Sequence, residues 1–322
     1  MTPKFKKTVL LSGCILIASF SCNQYNASTT KKDLLDKSGI DITVRPQDDF
    51  FHYVNGTWIK NTEIPASEPA WGSFSILYEN TTQILKSLLD SCTKLNALKG
   101  SNEQKVGDLY ASAMDSAAIE QKGITPLKGD LERIAAIQTS KDVLHEVAIQ
   151  YNMNVSSLIS FYASQDDKNS NEIVAHFDQG GLGLPNKDYY VLEDSSSTNI
   201  RDGYVNYIAT MFQLQGNDSA LAHEKAIGVL NIETALAKAS KSPVERRDAI
   251  ANYNKMTLAE LNKQTPGINW SEFINSLGIK QDTVLVGQPA FYKALDRLLQ
   301  SITINDWKNY LNFHLLIIIH LT

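Results

Sequence analysis

Cysteine is scarce in this 322-residue chain: there are three, two of them within the first 22 residues. That excludes a disulfide framework, and their spacing excludes a paired structural zinc site. Basic surplus is missing too. Thirty Lys and Arg stand against 35 Asp and Glu, so the net charge is −5 and no surplus is available to neutralise a phosphate backbone. Nucleic acid is therefore not an expected partner. The sequence has no G-x-S-x-G elbow, no Walker loop, and no Cys/His pair spaced for nucleophilic catalysis. It also has no H-E-x-x-H. His145-Glu146 and His223-Glu224 begin that motif, but Ile149 and Ile227 occupy the positions where a second imidazole would have to share the helix face.

What is present first is an export pattern. Lys4, Lys6 and Lys7 precede a mostly apolar run from Thr8 to Ser21 that has signal-peptide length and is too short for a bilayer. Cys22 follows the small residue Ser21, as in a bacterial lipoprotein signal, so residues 1–21 are expected to be removed and Cys22 lipidated. Leu11-Ser12-Gly13-Cys14 is the better local lipobox, yet cleavage there leaves a very short apolar core; a plain cleaved signal is the other alternative. The expected location is the periplasm or outer membrane of a Gram-negative cell, with a lipid anchor. Residues 22–40 are polar and small and read as a flexible tether.

From there the chain reads as mainly α. Leu77, Ile84, Leu85, Leu88, Leu89, Cys92 and Leu95 recur at three- and four-residue steps and predict an amphipathic helix with that face in the core. Ser101-x-x-Gln104 and Thr257-x-x-Glu260 have capping-box form, and Ser242-Pro243-Val244-Glu245 has a helix-start pattern. Helical patterning also covers about 127–151, 201–215, 219–240, 270–277 and 289–313. A β-hairpin is expected from 155–164 and 172–178, flanking a polar turn at 165–171. Gln179 to Pro185, with three glycines in four positions, reads as a structural turn because no helix start or lysine follows in phosphate-loop fashion.

The residues Arg45-Pro46-Gln47-Asp48-Asp49-Phe50-Phe51-His52-Tyr53-Val54-Asn55-Gly56-Thr57-Trp58, then Ile64-Pro65 and Trp71-Gly72-Ser73-Phe74, resemble the start of the neprilysin-like, M13-type zinc metallopeptidases. The resemblance continues through Gly181-Leu182-Gly183-Leu184-Pro185-Asn186-Lys187-Asp188-Tyr189-Tyr190, Ile232-Glu233-Thr234-Ala235, and Asp306-Trp307-Lys308-Asn309-Tyr310-Leu311, covering about 40–314 in order. Taken alone, Phe50, Phe51, Tyr53 and Trp58 read as packing residues, Asn55-Gly56 as a turn, Pro65 and Pro69 as stiffeners, and Glu63, Asp188 and Arg247 as structural partners.

The resemblance implies a large helical cap of the neprilysin-like fold, residues 41–322, which bounds a chamber for peptides and lacks the catalytic half. Zinc belongs to the complete family enzyme, held by an H-E-x-x-H helix and a downstream glutamate; this chain supplies no metal or catalytic residue and is expected to be inactive alone. Some family members carry a carboxylate-binding arginine before the aromatic-Gly-x-Phe stretch, where this chain has Ala70, so a broader endopeptidase specificity is expected of the complete relative. Leu315 to Thr322 lacks a helix cap and a family-like continuation, which leads to the expectation of a frameshift or premature stop that leaves an unpaired apolar face. The alternative is a non-enzymatic surface lipoprotein that uses the helical module for peptide binding or interaction. A catalytic half supplied by a separate chain has no support in the sequence.

Overall fold

Most helix starts in this chain are set by short polar side chains that take up otherwise unpaired backbone N–H groups. In the computed structural model, residues 36–155 and 157–320 are described, the side chains of 318–320 excepted. The expected signal, Cys22 and most of the expected tether lie outside the described residues. The chain divides between Asp108 and Leu109 into two compact units.

In the first unit, Asp49 caps α1 (Phe50–Asn61) by accepting from His52 N at 2.9 Å. Asn55 and Gly56, expected as a turn, lie inside this helix. Gly56 is needed there for packing: a Cβ would sit 2.7 Å from Asp41 Cβ. Asp41 is itself buried and holds Lys60 Nζ at 2.6 Å and Thr43 Oγ1 at 2.5 Å. The carbonyls of Gly39 and Ile40 accept from Thr57 N and Oγ1, so the end of the expected tether is hooked onto α1. After an extended connection containing Pro65 and Pro69 come α2 (Ser73–Lys94) and α3 (Asn102–Met114), within which the boundary between the units falls. Ser101 Oγ accepts from Gln104 N as its pattern predicts, while Gln104 Oε1 accepts from Gly100 N, one residue before the position a capping box uses.

The α2 face expected in the core is not buried. Leu77, Ile84, Leu85, Leu88 and Leu95 are each more than half exposed, and no residue of this 22-residue helix is fully buried. Periodicity identifies an apolar face and is silent about what covers it.

The second unit holds α4 (Ser116–Lys122), α5 (Lys128–Ala135), α6 (Ser140–Asn152), β1 (Ile159–Asp166), β2 (Asn169–Gln179), α7 (Asp188–Val191), α8 (Ser195–Leu214) and α9 (Ser219–Ala239). Then follow β3 (Lys255–Thr257), α10 (Leu258–Gln264), α11 (Trp270–Ser276), β4 (Thr283–Val286), α12 (Pro289–Ser301) and α13 (Ile304–His320). Two continuous helical expectations are each broken in two. The stretch 127–151 stops at Ala135 and restarts behind a capping box of Thr139 and Asp142. The stretch 289–313 breaks at Ile302, and Thr303 Oγ1 then accepts from Asp306 N to start α13. Ser242 to Glu245 opens only a 3-10 turn, Glu245–Arg247.

The hairpin forms, with a much tighter turn than expected, because Asp166 Oδ1 accepts from Lys168 N and lets the strands run to Asp166 and Asn169. It is also part of something larger. The sheet order is β1-β2-β4-β3, with β2 and β4 parallel and the other pairs antiparallel. Phe177 on β2 meets Trp270 at 5.4 Å edge-on, and Trp270 meets Tyr292 at 5.2 Å, so α11 and α12 close over the sheet. Ile208 and Phe212 of α8, Val229 and Leu236 of α9, and Trp307, Tyr310 and Phe313 of α13 form the helical part of the same core. Leu315 and Leu316, expected at an unpaired end, are buried in it. Among the described residues no helix is long and apolar enough to cross a membrane.

Candidate functional site

A stripe of apolar residues along α9 contains one charge at a core position: Glu233, between Ile232 and Leu236 and with no exposed surface. A buried carboxylate is tolerated only when its lone pairs are taken up, and here all four approaches are polar. Glu233 Oε2 accepts from Tyr190 OH at 2.6 Å and from Gly183 N at 3.3 Å. Oε1 accepts from Tyr204 OH at 3.0 Å and faces His314 Nε2 at 3.0 Å. Tyr190 OH in turn accepts from Leu184 N at 2.8 Å. Burial, and next the charge of Glu233, pushes the Tyr190, Tyr204 and Tyr310 hydroxyls well above the ordinary tyrosine range, so they stay protonated.

The glycine loop is shaped by this cluster. Gly183 lies against Tyr204 OH so closely that no Cβ fits, and Gly181, at φ +83°, accepts from Tyr310 OH at 3.0 Å. Its reading as a structural turn fits this geometry: the Gly183 amide is committed to a carboxylate, which disfavours a phosphate at the same N–H. Gly183, Leu184 and Tyr190 are thus brought together with Glu233 and His314. Pro185 leads into the turn before α7; the Tyr189 carbonyl accepts from Arg201 Nη1 at 2.8 Å, and Asp188 N donates to Asn186 Oδ1 at 2.9 Å. With no exposed surface, the Glu233 carboxylate itself is out of a substrate's reach. Its role is to pin α7, α8, α9 and α13 to one another.

The other family-motif residues lie in the first unit. Asp48 pairs with Arg45 at 3.2 Å, Asp49 caps α1 and contacts His52 Nδ1 at 2.7 Å, and Asn55 Nδ2 donates to the Phe51 carbonyl. Phe50 and Phe74 are exposed, whereas Tyr53, Trp58, Pro65, Trp71 and Gly72 are half-buried. Gly72 caps α2, its carbonyl accepting from Ile76 N. These residues organise helix starts and turns and present no convergent acid, base or nucleophile.

Zinc does not fit the described residues. His52 is on Asp49, His176 is buried and stacked on Tyr162 at 4.8 Å, and His314 is buried against Glu233. His145 and His223 are exposed, and Glu146 is occupied by Arg133 at 2.6 and 3.1 Å. No group of three or more His, Cys, Asp or Glu among the described residues can hold a metal ion.

The Glu233 cluster was readable only in part. A glutamate at a core position of a strongly periodic helix is a signal in the sequence; Glu233 lies within a family motif and His314 three residues beyond one. Their meeting across 81 residues depends on how α9 and α13 pack.

Residues 46–320 match the family model described as peptidase family M13. Endothelin-converting enzyme 1 of Cavia porcellus is 36% identical over 244 residues, which cover 73% of this chain and 32% of that protein. Neprilysin-3 of Drosophila melanogaster is 31% identical over 294 residues, covering 86% and 37%. Among solved structures, the zinc metalloprotease Zmp1 of Mycobacterium tuberculosis in complex with an inhibitor has a TM-score of 0.79 at 32% identity, covering 87% of this chain and 43% of that one. PepO from Lactobacillus rhamnosis shares the fold at a TM-score of 0.67 and 18% identity. The chain spans about a third to two-fifths of the length of these relatives. The family motifs, the helical unit built around Glu233 and these matches agree: the chain belongs to peptidase family M13.

Proposed function

We propose that this chain forms the N-terminal, chamber-forming part of an exported M13-like zinc metalloendopeptidase that acts on peptides, and that alone it does not hydrolyse them. The zinc and its ligands are assigned to the part of the relatives' length that this chain does not span, since the described histidines and carboxylates do not converge in a group of three or more that could hold a metal ion.

The observation that carries this reading is the uncovered face of α2. Phe74, Tyr78 and Leu85 form one stripe and Leu77, Ile84, Leu88 and Leu95 an adjacent one, all of them exposed. A contiguous apolar face of this kind marks a surface that another apolar surface covers. Covering each such side chain contributes on the order of 1 to 3 kcal/mol, enough together for a stable interface.

The purified chain should bind the dye ANS and self-associate in light scattering. Exchanging Leu85→Lys and Leu88→Lys together should reduce both. A monodisperse chain that binds no dye and melts cooperatively would contradict the reading and favour a free-standing interaction module on a surface lipoprotein.

Export and lipidation at Cys22 are part of the same proposal. Cys22→Ser should move the protein from the membrane fraction to the soluble fraction; an unchanged membrane fraction would reject the anchor.

A further inference from the structure

A second feature of the larger unit lies on the outer side of the glycine loop. A cleft of about 210 Å³ is bounded by Ser157, Leu182, Leu184, Pro185, Lys241 and Arg246. Two cations line it and no carboxylate does, in a chain whose net charge is −5. Such a reversal of local sign concentrates anions.

The donors are partly unspent. Ser157 is 2% exposed and its hydroxyl has no hydrogen-bond partner, an arrangement that costs stability unless something else bonds to it. The Arg246 guanidinium carries five N–H donors in a fork suited to oxyanions; it forms an ion pair with Asp178 Oδ2 at 3.6 Å, a separation beyond hydrogen-bond reach that leaves N–H donors unspent. Lys241 Nζ donates to Asn252 Oδ1 at 2.7 Å and to the Ala251 carbonyl at 3.5 Å, which leaves one of its three N–H groups. The nearby acid Glu245 is turned onto Ser242 N and Oγ, each at 2.7 Å. Leu182, Leu184 and Pro185 give the cleft an apolar wall, and its volume is that of about seven waters. A charged group on a short chain fits this space; a drug-sized ligand does not.

We propose that this cleft is a binding site for a small oxyanion, a carboxylate or phosphate group, held by Ser157 and Arg246 with Lys241 at its rim. The loop supplies a wall here, and the site does not depend on the Gly183 amide or on any metal. It stands apart from the peptidase reading, so each can fail without the other.

The test is isothermal titration of the full chain, kept monomeric in a mild non-ionic detergent, with sodium phosphate, with the tripeptide Ala-Leu-Ala, and with its C-terminal amide. Binding of phosphate or of the free acid in the millimolar range is expected, with the amide at least about tenfold weaker than the acid if the acid binds. Arg246→Gln should weaken binding about tenfold and Ser157→Ala about threefold, at unchanged circular dichroism. Lys128→Gln, at an exposed cation of α5, should leave it unchanged. Phosphate binding alone would support the site and identify a free ion as its source; tripeptide binding would identify a peptide terminus. Absence of binding by either probe, equal binding of acid and amide, or binding that survives both variants in folded protein would overturn the proposal.

Discussion

Replacing Glu233 by alanine leaves Tyr190 OH, Tyr204 OH, Gly183 N and His314 facing a cavity in place of the carboxylate they surround at 2.6 to 3.3 Å. Removal of one member of a buried charged cluster costs about 3 to 5 kcal/mol, because the remaining polar groups keep their desolvation penalty. Glu233→Gln is milder. Its oxygen can still accept from Tyr190 and Gly183, and its amide can donate toward Tyr204 or His314, so the loss is that of charge assistance, about 1 to 3 kcal/mol. For a unit of this size each kcal/mol moves the melting temperature by about 2 to 4 °C. Urea denaturation followed by tryptophan fluorescence suits the measurement, because Trp270 and Trp307 are both fully buried in the same unit. The order wild type, then Glu233→Gln, then Glu233→Ala is expected, with unchanged m-value. A double-mutant cycle of Glu233→Gln with Tyr190→Phe should show coupling above about 0.5 kcal/mol. A loss below about 1 kcal/mol for Glu233→Ala would refute the claim that this carboxylate ties four helices together.

Acid should act on the sheet through Asp166, whose carboxyl is held down at about 2, first by the hydrogen bond from Lys255 and next by Lys168 N. Its folded value lies below the unfolded one near 3.9, so the stability it contributes is present above about pH 4 and is lost as pH falls toward 2. Asp166→Asn should flatten that part of the pH profile, and an unaltered profile would contradict the assignment. Gly107→Ala would bring a Cβ within 2.6 Å of the Cys92 carbonyl, forcing α2 and α3 apart at a cost of about 1 to 3 kcal/mol. Thermal melts of this variant check it, and a neutral result would mean that the two helices do not approach as closely as described.

Local signals reported local structure well. The Thr257 and Glu260 capping box opens α10 as its spacing requires, and the apolar stripe of α9 is the buried face of that helix. The breaks at Ala136 to Thr139 and at Ile302 carry no glycine or proline, so the apolar periodicity ran through them, although Thr139-x-x-Asp142 and Thr303-x-x-Asp306 were legible as restart signals. β3 and β4 are three and four residues long, and β4 is fixed by pairing Val284 to Ala175 more than a hundred positions away. No local pattern encodes that pairing. Asn55-Gly56 signals a turn because the dipeptide favours turns in isolation, whereas here the missing Cβ serves the approach of Asp41 to a helix. Of the Glu233 cluster, Gly183, Tyr190 and Glu233 lie in legible motifs and Tyr204 does not, and the contact itself is not legible because its members come from α7, α8, α9 and α13.

On the function proposed above, this chain forms chamber wall and carries none of the chemistry. The most direct test is the turnover of an internally quenched peptide by the purified 322-residue protein, supplied with zinc, with and without a chelator. A rate equal to buffer is expected under every condition. Chelator-sensitive cleavage that copurifies with the chain would contradict it.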